Sequence, residues 1–140
     1  MIKPLFEGND YQYDRLFGHC EFNDDFIGAI KNGMNDDIFQ RKFFFLNEGL
    51  RESTDDIHYS WFRILKHTKG LYSMHFPQKK FNNLRFLVMR TKINKQDVMI
   101  FLEGFYEKGD SNQSKGYNKY IKTAEYRMSE CIKSIRKESV

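Results

Sequence analysis

Cysteine, proline and tryptophan are scarce in this chain, at two, two and one in 140 residues. Cys20 and Cys131 stand far apart, which suits reduced thiols and argues against a disulfide framework; a single bridge between them stays open. The four histidines and two cysteines show no metal-ligand spacing, so no metal is expected. There is no glycine-rich phosphate loop, internal repeat or low-complexity tract, and no small-molecule cofactor is expected. No apolar run approaches the roughly 18 residues that a membrane span requires. The opening MIKPLFEGND lacks the apolar core of a secretion signal. These absences point to a cytoplasmic chain, and its length points to one domain over 1–140.

Apolar and aromatic residues are plentiful, at 40% and 16%, which excludes disorder. Charge is unevenly spread. Residues 1–60 hold 6 Lys/Arg against 12 Asp/Glu, whereas residues 61–140 hold 17 against 7. A second half with net charge +10 is expected to present a one-sided basic field, and such fields attract polyanions. An unevenly charged but simply solvated surface is the alternative.

NDDFIGAIKNG (23–33) has an Asn/Asp start and a glycine stop and predicts a short helix. In 35–53, Phe39, Phe43, Leu46 and Leu50 recur at helical spacing and predict a longer one. YQYDRLFGHCEF holds at most an edge strand. Period-two alternation then begins in LYSMHF (71–76), with Tyr72, Met74 and Phe76 on one face and Ser73 and His75 on the other. LRFLVMRTKI (84–93) predicts a second strand, NKQD a tight connection, and DVMIFLEGF (97–105) a central strand buried on both faces. Over 117–137, Tyr117, Tyr120, Ile121, Ala124, Met128, Cys131, Ile132 and Ile135 form one stripe of a helix. The fold class is α+β: N-terminal helices, an antiparallel meander and a C-terminal helix packed on the sheet. Trp61 is expected to be a core anchor.

KHTKGLYSMHF (66–76), Arg85 in the following strand, FLEGFYEK and a helix with Ala124 and Arg127 together resemble the RelE/HigB toxin superfamily. The nearest pattern is that of its phage-derived HigB-like group. The resemblance implies a RelE-like fold and a metal-independent mRNA endonuclease acting on ribosome-bound messages. It also implies a cognate antitoxin protein as partner. Such cleavage uses the 2′-hydroxyl of RNA as nucleophile, so the enzyme has to orient a phosphate, move protons and stabilise added charge.

Arg85 matches the strand arginine of the family and is the candidate for the scissile phosphate, because its planar fork grips two oxygens. His75 replaces a family arginine; it reads as acid or base, or as a partly buried structural histidine. Glu103 stands where the family has histidine. It reads as a base, as a buried carboxylate paired with Arg85 or Lys92, or as a sign of weakened activity. Tyr117 and Tyr120 read as core residues or as a catalytic and a base-stacking ring. Lys108 and Lys115 match the family's loop lysines and, with Lys92, are RNA-phosphate contacts. Arg127 is either a phosphate contact or a salt bridge into the acidic half. A non-catalytic phage- or prophage-derived binding protein on the same scaffold is the alternative. A DNA-binding regulator is disfavoured by the lack of a helix-turn-helix pair.

Overall fold

The computed structural model describes residues 1–8, 10–107 and 113–138, of which 113–116 by backbone alone. A six-stranded sheet runs in the order β1-β2-β6-β5-β4-β3. Its strands are β1 (Ile2–Pro4), β2 (Leu16–His19), β3 (Phe62–Ile64), β4 (Tyr72–Phe76), β5 (Leu84–Ile93) and β6 (Gln96–Tyr106). Helices α1 (Cys20–Gly33) and α2 (Asp37–Arg51) cover one face, and α3 (Gln113–Glu138) covers the other. The fold is α+β. Among the described residues no helix is long and apolar enough to cross a membrane.

The β4-β5-β6 meander is antiparallel, as expected for three strands joined by short links. Asn94 and Lys95 both take positive φ, 51° and 67°, and close the β5–β6 hairpin in the two-residue turn whose twist matches that of its strands. The N-terminal part departs from expectation. β2 is not an edge strand: it lies between β1 and β6 and pairs in parallel with β6, Leu16 opposite Met99 and Gly18 opposite Phe101. A parallel pair needs a long crossover, which here spans most of the chain, so no local pattern announces it. Helix α1 starts at Cys20 rather than at the Asn/Asp cluster, because His19 caps it: Nδ1 accepts from the Glu21 N–H at 3.2 Å. Helix α2 begins after Asp36, whose carboxylate accepts from the Phe39 N–H at 3.1 Å.

Two cores of different chemistry lie on the two sheet faces. The α1/α2 face is dominated by phenylalanine, with Phe22, Phe39, Phe43, Phe76, Phe86 and Phe101 almost wholly buried. Phe86 is the hub. Its ring meets Phe22, Phe26, Phe76 and Phe101 edge-on, at centroid separations of 5.2, 5.5, 5.7 and 5.8 Å. Such edge contacts contribute about 0.5–1.5 kcal/mol each beyond burial. The α3 face is mainly aliphatic: Leu87, Met89, Ile100 and Leu102 pack under Ala124, Met128 and Cys131. Trp61 is not a deep anchor; it is partly buried at the margin, its indole stacked on Tyr59 at 4.6 Å.

Gly104 explains the interruption in FLEGF. A Cβ there would lie 2.7 Å from the Phe26 ring and 2.9 Å from Phe86, both held by the phenylalanine core. We expect Gly104→Ala to destabilise the protein by about 1–3 kcal/mol through overpacking, measured by urea unfolding; an unchanged midpoint would show that the rings yield freely.

Candidate active site

Alternation along β4 sends Met74 and Phe76 into the phenylalanine core and leaves Ser73 and His75 on the α3 side of the sheet. Arg85 lies opposite His75 on one side and opposite Phe105 on the other, so the three form one row across β4, β5 and β6. Just before β5, Asn82 and Asn83 both adopt the left-handed conformation, φ 54° and 53°, which Asn tolerates better than most residues. The Asn83 carbonyl then accepts from the Glu107 N–H at 3.0 Å, adding a rung beyond the end of β6.

Side chains complete the cluster. Arg85 Nε donates to the Glu107 carboxylate and Nη1 to Ser73 Oγ at 3.4 Å. No protein atom among the described residues bonds Arg85 Nη2. Arg85 and Glu107 keep 23% and 15% of their side-chain surface exposed, enough for a ligand to reach them. His75 Nε2 donates to Asn83 Oδ1. Burial holds the His75 imidazole below the ordinary histidine range, aided by the nearby cations Arg85 and Lys42 and opposed by Asn83 and Glu107. Above the row, Tyr120 stacks on Phe105 at 4.5 Å and Tyr117 meets the same ring edge-on at 5.1 Å. Both tyrosines are half-buried in the α3 core, and they bring the start of that helix to the cluster.

The structure thus gathers Arg85, His75, Tyr117 and Tyr120, and adds Ser73, Asn83 and Glu107, which the sequence reading missed. Glu107 lies two residues beyond Phe105, on the same face by alternation. The signal was present, but the strand pairing that makes it meaningful is not local.

Glu103 and Arg127 do not belong to this cluster. Strand β2 ends at His19 while β6 runs on, so among the described residues no strand lies beside Leu102 C=O and Gly104 N–H on this side. Arg127 Nη1 donates to the Leu102 carbonyl at 2.8 Å, and Glu103 Oε1 accepts from the Gly104 N–H at 2.9 Å. The two side chains also pair with each other at 3.5 Å, and Arg127 Nη2 reaches Glu21 on α1 at 3.0 Å. Glu103 therefore pairs with neither Arg85 nor Lys92. Burial pushes its carboxyl above the usual range, against the Gly104 amide and Arg127. Arg127 is 8% exposed and is a salt bridge into the acidic half, not a phosphate contact. Lys92 is exposed near the hairpin end of β5, seven residues and about 23 Å from Arg85 along the strand. Lys108 and the Lys115 side chain lie outside the described residues.

Lys42 is an unanticipated buried cation. It reaches from α2 to donate to the His75 carbonyl at 2.8 Å, with Nζ 4.8 Å from the Phe76 ring centre and 5.5 Å from that of Trp61. Among the described residues no carboxylate pairs with it, and burial lowers its amine to about 8. Among the described residues no group of three or more His, Cys, Asp or Glu is placed to hold a metal ion. Comparison with protein-family models, with curated proteins and with solved structures finds no match.

Two outcomes follow from these buried charges. Between about pH 8 and the ordinary 10.5, folded Lys42 releases its proton before the unfolded chain does, so this group makes stability rise with pH. Relative to Lys42→Met, the wild type should gain up to about 3 kcal/mol across that window; parallel pH profiles would show that the folded amine titrates as it does in the unfolded chain. Arg127→Met should cost about 3–5 kcal/mol at neutral pH by stranding Glu103. That loss should shrink as the pH falls and Glu103 takes up a proton, a trend readable from urea midpoints.

Proposed function

We propose that this chain is a metal-independent endoribonuclease that cleaves mRNA, of the type that serves as the toxin of a toxin–antitoxin pair. The observation that carries the reading is the cluster of His75, Arg85 and Glu107 at one partly exposed end of the β4–β5–β6 strands. It supplies an imidazole, a guanidinium and a carboxylate, the groups that internal transesterification of RNA uses. The resemblance of 66–132 to RelE/HigB toxins points the same way, and on that basis ribosome-bound mRNA is the substrate and an antitoxin protein the partner.

Arg85 Nη2 has no protein partner among the described residues and takes a phosphoryl oxygen, while Glu107 and Ser73 hold the guanidinium in place. Charge that builds on the phosphorus oxygens then meets a fixed cation. With Nε2 committed to Asn83 and the ring's proton affinity lowered by burial, His75 is neutral at pH 7 and Nδ1 is its proton acceptor. It removes the 2′-hydroxyl proton as that oxygen attacks phosphorus. The 5′ oxygen leaves, and Tyr117, at the start of α3, is the candidate donor of its proton. The products are a 2′,3′-cyclic phosphate and a 5′-hydroxyl end.

A non-catalytic binding protein is favoured by one observation: Arg85 is already engaged by Glu107. The two readings separate cleanly. For the nuclease, induction in bacteria arrests growth, and Arg85→Ala and His75→Ala each lower cleavage by about 10²–10³-fold without loss of fold. The acid limb of the rate profile should lie below the ordinary histidine value of 6.5 and vanish in His75→Ala. Undiminished cleavage by both variants, or RNA bound and never cut by the wild type, would sink the nuclease reading.

A further inference from the structure

Helix α3 sorts its charges by direction. Of its three acids, Glu125 is bonded to the Lys69 N–H at 2.9 Å and Glu130 to His19 at 3.1 Å, so both are turned onto the body of the protein. Arg127 is turned inward as well. Lys119, Lys122, Lys133 and Lys137 are all exposed, and none forms an ion pair among the described residues. At 100° per residue these four and Tyr126 fall within an arc of about 60°, opposite the buried stripe, and they extend over about 27 Å. Tyr126, 66% exposed, is the aromatic of that arc, and among the described residues no ring partner holds it.

We infer that this outward face of α3 is a second nucleic-acid contact. Its lysines grip successive phosphates of an RNA strand outside the cleavage row, and Tyr126 stacks on a base. Unpaired cations in line match a polyanion, and an exposed ring among them suits base stacking, which is indifferent to sequence. An anionic membrane is the poorer fit. An interfacial helix inserts an apolar face, and the apolar face of α3 is occupied by the sheet. The inference extends beyond the cleavage row and does not depend on its being catalytic.

The test measures anisotropy of a labelled, uncleavable 2′-O-methyl oligonucleotide against salt. Lys122→Gln/Lys133→Gln should lower the slope of log affinity against log salt by about 1.4, which is about 25-fold in affinity at 0.1 M. Tyr126→Ala should weaken binding at least about fivefold with the slope unchanged. Lys3→Gln/Lys31→Gln removes the same charge beside α1 and should leave the slope nearly intact. Glutamines at exposed helical sites are tolerated, and circular dichroism verifies the fold. An unchanged slope in the α3 variant, an equal loss in the α1 control, or binding to anionic vesicles but not to the oligonucleotide would each overturn the inference. Failure of the nuclease reading looks different: mRNA stays uncut while the α3 contact persists.

Discussion

The open flank of β6 is the constraint on which the rest of this structure depends. A strand that outruns its neighbour leaves backbone groups unpaired in an apolar interior, which costs far more than a typical hydrogen bond returns. Here Glu103 and Arg127 stand in for the missing strand, one accepting from Gly104 and the other donating to Leu102. The same arginine reaches Glu21, so two ion pairs that share Arg127 join β6, α3 and α1. Breaking either half strands a buried charge as well as a backbone group.

That junction also orients the candidate site. Phe105 and Glu107 follow directly from Glu103, and the start of α3 is pinned on Phe105 by Tyr117 and Tyr120. With Arg127 facing inward at its centre, the helix has its azimuth set: Ala124, Met128 and Cys131 go to the sheet and the lysines go to solvent. The outward placement of these lysines is therefore a consequence of packing as much as of composition.

The two cores divide the labour. The phenylalanine side packs its rings around Phe86, which contacts rings from α1, β4 and β6. Lys42 penetrates this side to hold the His75 carbonyl, linking α2 to the backbone of a residue whose imidazole lies on the opposite face. The polar row is consequently anchored from beneath, while its side chains remain reachable from the margin.

Much of this was legible in the chain. Period two in 71–76 located β4 and the face of His75, and the apolar runs 84–93 and 97–105 located β5 and β6, because alternation and apolar runs are local properties of the chain. Helical spacing found α2 and the buried stripe of α3 for the same reason, and the inward Arg127 was foreseen as one of two roles. What the sequence could not determine was which strands become neighbours. The parallel insertion of β2 beside β6, the early end of that strand, and hence the true partner of Glu103 all depend on contacts between residues some 80 positions apart. Glu107 and Asn83 join the site only once β5 and β6 are in register. Alternation and helical period settle which face of its own element a residue takes. Which charge it meets there is decided by pairing energies summed over the whole sheet, and only the tertiary structure performs that sum.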